Sequence, residues 1–358
     1  MVHQTEKNRP NDSELLLLLS TFMSSNSSST FSAHEQIKNP PHYRNDEEGI
    51  VKWKERKSRE GKKGEEEEKR EEEGNGVASS SLNSFVRTLL RRSAIRDEYL
   101  QIFFNPAYRC MEVYQHVFTH SSVHPFQNYE YFEILGDSTC NKSIVWYIQD
   151  RFPFLRNSDG VKVIARLRIN LVSKKYFSTL ASQLGFLPFI SCGKEILEQR
   201  EKSLLEDVFE AFFGATELLF DRIFGLGVGY FICFRILKSI LDEKEISLRY
   251  EDLFDPITRL KETFDYFRAP RQICPYIWGS MAWETSKISN GHHVVSLFQI
   301  DKVARRKELL STACAPYLDE AKQGAATCFL QFLQKKGFYR PVHEYYHQIL
   351  SYSQKKDE

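Results

Sequence analysis

NYEYFEILGDST, residues 128–139, places three carboxylates, Glu130, Glu133 and Asp137, at steps of three and four. On an α-helix that spacing points all three the same way. Phe132, Leu135, Cys140, Ile144, Tyr147 and Ile148 fall broadly on another side. The stretch therefore predicts a helix with an apolar flank and an acidic stripe, which Asn141 continues. No Lys or Arg stands four residues either side of these acids to neutralise them. Gly136 lies mid-helix, where glycine costs about 1 kcal/mol against alanine. Close approach of another element would compensate.

SLLEDVFEAFFGAT, residues 203–216, repeats the theme. Asp207 and Glu210 stand three apart, Leu204, Leu205, Val208, Phe212 and Phe213 make the rest apolar, and Gly214 lies four beyond Glu210. Two such helices packed face to face would bring four carboxylates together in a partly dry site. Unpaired, they would repel one another and be costly to bury. Hard divalent cations resolve that conflict, because Mg²⁺ prefers oxygen ligands and keeps waters for substrate phosphates. Two such ions about 3.5–4 Å apart can clamp an in-line phosphodiester displacement. Taken singly, either stretch also reads as a solvated acidic face.

The chain has 358 residues, room for two or three domains. Its formal net charge of +1 announces neither a nucleic-acid nor an acidic partner. The seven cysteines are odd in number and form no CxxC pair, which predicts free thiols in a reducing compartment. SELLLLLSTFM (13–23) is short and includes Glu14, unlike a signal-peptide core. IFGLGVGYFICF (223–234) is about half the length a membrane span needs. The expectation is a soluble, intracellular protein, cytoplasmic or nuclear, with no membrane partner.

Composition divides the chain. Residues 1–82 hold a serine tract and the charge block WKERKSREGKKGEEEEKREEEGNG, which predicts a disordered tail. From 83 to 247 apolar residues recur at three and four, as in Ile236, Leu237, Ile240 and Leu241, so this is read as one all-helical domain. From 250 to 340 the period changes. DPITRLKETFDYF opens on an Asp255–Pro256 start signal; CPYIWGSMAWE, HVVSLFQID and RRKELLSTACA read as strands; YLDEAKQGAATCFLQFLQKKG is a final helix stopped by Gly337. Residues 341–358 read as a polar tail.

THSSVHPFQNYEYFEILGDS (119–138) resembles the ribonuclease III signature, usually close to THxS…NERLEFLGDS. LLEDVFEAFFGA (204–215) resembles the second signature of that family, ARLRINLVS (165–173) its LRxxLVS segment, and LGFLPFISCGKE (184–195) its LGL…GE approach. The likeness runs in the right order from about Asn83 to Leu241. It implies an all-α ribonuclease III catalytic domain whose metal-binding carboxylates are Glu133, Asp137, Asp207 and Glu210, and a homodimer. Glu130 then matches a glutamate that lies near the RNA and the dimer interface. Three positions depart from the pattern: Tyr131 replaces its arginine, Ile134 the phenylalanine that plugs into the partner, and Glu206 the alanine before the second aspartate.

Helix, three strands, helix resembles the α+β (α-β-β-β-α) double-stranded-RNA-binding domain that follows in this family. DPITRLKE is similar to its opening DPKTxLQE, which makes Glu262 the implied minor-groove contact. SNGHHV is similar to its GPxH loop, so His292 or His293 would reach the second minor groove. In the final helix Leu318 and Asp319 stand where a lysine pair usually reaches phosphates; Lys322 survives, and Arg305, Arg306 and Lys307 are expected to supply charge instead. Such domains read A-form shape through 2′-hydroxyls and phosphates, so weaker RNA binding than the family norm is expected. His120 is read as structural, and Trp146, Trp278 and Trp283 as core.

The resemblance implies a Mg²⁺-dependent endoribonuclease, with Mn²⁺ able to substitute, that cuts double-stranded RNA to 5′-phosphate and 3′-hydroxyl ends. It is of the minimal type, one catalytic domain and one RNA-binding domain. The alternative is a non-catalytic RNA-binding protein on the same scaffold, ribosome-associated or RNA-sequestering.

Overall fold

The computed structural model describes residues 81–354, apart from 269–273, 290, 302 and 304. The charged tail expected over 1–82 thus lies outside the described residues, except for its last two positions. Those two already belong to helix α1 (81–91), and Leu82 is buried in the helical core.

The first unit is helical: α2 (Asp97–Phe103), α3 (Cys110–Val117), α4 (Glu130–Arg151), α5 (Gly160–Leu171), α6 (Lys174–Leu184), α7 (Lys194–Phe224) and α8 (Val228–Asp242) follow α1. The acidic stripe and apolar flank read from residues 128–148 are the two sides of α4. Helix α7 is bent at Arg200, whose φ of −130° and ψ of 20° leave the helical region. The second acidic stretch lies beyond that bend. IFGLGVGYFICF is split at Gly225 and Gly227, so its halves belong to α7 and α8. No helix among the described residues is long and apolar enough to cross a membrane.

Phenylalanine builds the core of this unit. Phe103 stacks on Phe220 with centroids 4.2 Å apart, Phe85 on Phe189 at 4.5 Å, and Phe177 meets Phe209 at 5.0 Å. Rings of 150–250 Å² packed on edges and faces dominate burial energetics. The buried Tyr114 hydroxyl is satisfied by Thr216 Oγ1 at 2.9 Å.

The second unit follows a short helix α9 (Tyr250–Leu253). It runs α10 (Pro256–Phe267), β1 (Ser280–Lys287), β2 (His293–Asp301), β3 (Arg306–Ala315) and α11 (Leu318–Lys335), with an antiparallel sheet in the order β1-β2-β3. Asp255 caps α10 through its bond from Thr258 N at 3.0 Å, the start signal read from DP. Leu260 and Phe264 of α10 meet Ala326, Phe329 and Leu333 of α11 over Leu297. The first strand starts later than CPYIWGSMAWE suggests. Residues 274–278 form a turn, with Ile277 N bonded to Cys274 O, and Trp278 N donates to the Gln299 side chain instead of a strand partner. Gly337, at φ 81°, ends the chain of helical residues after α11 as expected.

Within the tail read over 341–358, residues Glu344–Gln354 form a further helix, α12. Ile349 is 1 % exposed, and Tyr345, Tyr346 and Leu350 pack beside it on the core of the first unit. Tyr346 also meets Tyr250 and Phe254, with centroids 5.3 and 6.0 Å apart. The apolar residues recur at three and four, so the sequence carried the helical pattern; its polar C-terminal end masked it.

Candidate active site

Helices α4 and α7 cross with their backbones nearly touching. A Cβ added at Gly136 would overlap the Glu210 carbonyl, and one added at Gly214 would overlap the Phe132 carbonyl. This is the close approach that the mid-helix glycine implied. Beyond the crossing, the Thr139 hydroxyl donates to the Glu217 carboxylate across the same pair of helices. Glu133 and Asp137 of α4 and Asp207 and Glu210 of α7 therefore flank one joint.

Their surroundings differ. Glu210 is 7 % exposed, Glu133 and Asp207 are half-buried, and Asp137 is exposed. Burial first, then the charges of Asp137, Glu206, Glu133 and Asp207, push the Glu210 carboxyl up to about 8. Burial, then Asp207, Glu206 and Glu130, push Glu133 up to about 7. Asp207 is also raised by burial, against the pull of Lys174 and of the Tyr129 hydroxyl, which donates to Asp207 Oδ2 at 3.2 Å. Asn141 Nδ2 donates to Asp137 Oδ1 at 2.8 Å, so the asparagine that continues the stripe fixes its last acid. Glu133 and Glu210 thus feel the other acids, and desolvation is the leading cause at both and at Asp207.

Among the described residues, no three acidic, imidazole or thiol groups are gathered in metal-holding geometry as they stand. The donor set nevertheless fits a hard divalent cation. It offers carboxylate oxygens only, and among the described residues Glu210 is buried with no ion pair, a charge that a metal cation would neutralise. His120 is engaged in its own turn, with Nδ1 2.9 Å from Ser122 Oγ and accepting from Ser122 N at 3.0 Å, in keeping with a structural role.

The residues implied to touch RNA divide. Glu130 is exposed at the start of α4. His293 opens β2 opposite Ala315, beside the start of α11, and His292 precedes it. Lys322 lies in the first turns of α11, its ammonium 5.2 Å above the Trp283 ring. The two histidines stand at one end of the sheet, whereas Lys322 lies over Trp283, midway along β1. Glu262 does not face outward freely: Tyr250 and Arg340 both donate to it. Arg305, Arg306 and Lys307 do not stand in for the missing lysine pair. They lie at the far end of β3, roughly 30 Å along the strand from the start of α11, where the lysine pair would stand; Arg306 pairs with Glu308 at 3.2 Å and Lys307 with Glu284 at 2.5 Å. Trp146, read as core, is 53 % exposed.

Two residues at the site were not singled out from the sequence, Tyr129 and Lys174. Tyr129 immediately precedes the acidic stripe, so its proximity was readable. Lys174 Nζ lies 2.8 Å from Glu206 Oε2, a contact between α6 and α7 that no local pattern announces.

Paired acids at the crossing of two helices, followed by an α-β-β-β-α unit, set the class of fold. The ribonuclease III domain profile matches residues 130–219, which takes in all four acids. A protein of Invertebrate iridescent virus 6 assigned as ribonuclease 3 is 33 % identical over 273 residues, spanning 73 % of this chain and 90 % of that one. A second, from Frog virus 3, is 39 % identical over 186 residues, or 51 % of this chain and 49 % of that one. The nuclease domain of ribonuclease III from Campylobacter jejuni, solved with structural flexibility in its dimer-forming region, is 26 % identical over 37 % of this chain and 88 % of that one, with a TM-score of 0.31. The chain belongs to the ribonuclease III family. It is an endoribonuclease of double-stranded RNA, and its membership is consistent with a divalent-metal cofactor.

Proposed function

We propose that this chain is a Mg²⁺-dependent ribonuclease III that cuts double-stranded RNA to 5′-phosphate and 3′-hydroxyl ends, with Glu133, Asp137, Asp207 and Glu210 holding the ions. The observation that carries this reading is Glu210, buried at the α4–α7 crossing and raised to about 8 by burial and by its acidic neighbours. Held by these four carboxylates, Mg²⁺, or Mn²⁺ in its place, would supply an activated water and stabilisation of charge on the phosphate oxygens. The chain's own groups do the rest. Tyr129 orients Asp207, Asn141 orients Asp137, and the rigid crossing fixes both pairs relative to each other. Hydrolysis forms a bond from water oxygen to phosphorus and breaks the bond to O3′, which takes up a proton; the phosphate stays on the 5′ side.

Residues 83–247, with the two helical residues before them, act as the catalytic domain, and 250–340 as the duplex-binding domain. Glu130 of the catalytic domain and His292, His293, Lys322 and Glu262 of the duplex-binding domain are the RNA contacts in this reading, Glu262 only once its present partners release it. A homodimer supplies two such sites. Tyr131, Ile134, Val145 and Trp146 are 55, 73, 37 and 53 % exposed along one side of α4, an apolar face that supports pairing with a second copy.

Long double-stranded RNA incubated with and without Mg²⁺ tests the proposal. Cleavage should need the ion and stop with a chelator. Glu210→Gln should bind RNA like the native chain and cut it slower by about 10²-fold or more, the scale of one lost charge-stabilising contact. Binding with no cutting by the native chain, in either metal, would instead indicate an RNA-binding protein on a nuclease scaffold.

A further inference from the structure

Glu206 stands where the family pattern has alanine, one residue before Asp207. Its side chain is 14 % exposed, and its Oε2 is buried without a directional hydrogen bond. Its charge bears on both Glu133 and Glu210, and Asp207 and Asp137 bear on it in turn. The chain thus carries a fifth carboxylate within electrostatic reach of the other four.

One cation answers it. Lys174 Nζ lies 2.8 Å from Glu206 Oε2 and donates to Ser203 Oγ at 3.3 Å. Lys174 is the first residue of α6, fixed by Ser173, whose hydroxyl accepts from Tyr176 N at 3.3 Å. A cation at a helix N-terminus opposes the helix dipole. The acidic neighbours offset that penalty: Glu206, Asp207 and Glu133 all favour the charged ammonium.

We propose that Lys174 is a positioning residue for the metal site: it holds Glu206 at the rim, so that the ions meet four carboxylates, and its loss releases Glu206 as an additional ligand. This rests on the four-carboxylate site proposed above. Glu206 shares a helical turn with Asp207 and Glu210, so freeing one side chain suffices, with no movement of backbone. A fifth anionic ligand tightens divalent binding, and a cation that occupies it sets the affinity lower. The pair is therefore a device that tunes how firmly the ions are held.

Calorimetric titration of the full chain with Mn²⁺, without RNA, tests this. Lys174→Met should bind Mn²⁺ about tenfold more tightly than the native chain, the scale of coupling between groups in contact. Lys174→Arg, which keeps the ion pair, should restore native affinity. Lys174→Met combined with Glu206→Gln should lose the gain. If the double variant keeps the gain, only the field of the lysine has changed and the proposal is wrong. It is equally wrong if Lys174→Met binds no more tightly. Should Lys174→Met not fold, the native chain crystallised with Mn²⁺ decides: Glu206 still on Lys174 supports the proposal, and a Glu206–manganese bond overturns it. Asp207→Asn is the control. If that variant keeps full Mn²⁺ affinity, the four-carboxylate site itself fails, and this inference with it.

Discussion

Arg340 donates to Glu262 Oε2 at 2.7 Å, and Tyr250 donates to the same oxygen at 2.5 Å. The donors come from either end of the second unit: Tyr250 from the entry into it and Arg340 from the exit. A carboxylate implied to contact RNA is thereby tied into the joint between the units. Lys202 of α7 reinforces the arrangement, 3.8 Å from Glu320 and 3.8 Å above the Tyr317 ring.

Arg340→Ala should loosen that tie and free Glu262 for a duplex. The expected outcome is a severalfold gain in affinity for long double-stranded RNA, read by fluorescence anisotropy. Glu262→Ala in the same background should cancel the gain. An Arg340→Ala chain that binds no better would show that Glu262 makes no RNA contact or that Arg340 does not restrain it.

Metal-free stability should fall as pH rises. Glu133 and Glu210 hold their protons up to about 7 and about 8 in the folded chain, against about 4.3 for an unfolded glutamate. Between those limits the folded state binds the extra protons, so each step up in pH costs stability. Thermal melts in chelator should show a lower Tm near pH 8.5 than near pH 5.5. Added Mn²⁺ should recover most of the loss, since an ion that binds only the folded state stabilises it. A Tm that rises across this window would contradict the burial assigned to these two acids.

Gly136→Ala tests the crossing. Alanine is worth about 1 kcal/mol more than glycine in an isolated helix. Here its methyl would meet the Glu210 backbone, which cannot rotate away as a side chain could. Net destabilisation of about 3 kcal/mol is expected from such overpacking, measured by denaturant unfolding. A stabilised variant would mean that α4 and α7 do not touch there.

Ile134→Asp should separate subunits. The side chain is 73 % exposed on the apolar side of α4, so a charge costs the lone chain little. Sedimentation over a concentration series should show native dimers and monomeric Ile134→Asp. Dimers of equal strength in both would place the interface elsewhere.

Much of this protein is written locally. The steps of three and four among Glu130, Glu133 and Asp137 forecast α4, and the glycine among them forecast a close neighbour. Asp255–Pro256 marked the start of α10, and Gly337 the end of α11. These signals are short-range: helical periodicity, a cap, a backbone angle. The opening of β1 was misjudged because CPYIW has strand-like composition, whereas the turn at Cys274 and the Gln299 side chain take the backbone bonds a strand would use.

The sequence by itself determined where the acidic helices lie, the helix–three strands–helix order of the second unit, and the family to which the chain belongs; it missed α12 and the opening of β1. Only the tertiary structure decided who faces whom: Lys174 against Glu206, Arg340 and Tyr250 against Glu262, and Trp146 toward solvent in place of the core. Periodicity fixes the side of a helix on which a residue stands, because 3.6 residues make a turn. It carries no information about which distant element packs there. Charge pairs across α6 and α7, or from residue 340 back to 262, arise from the packing of Phe- and Leu-rich surfaces, and that packing is a property of the whole chain.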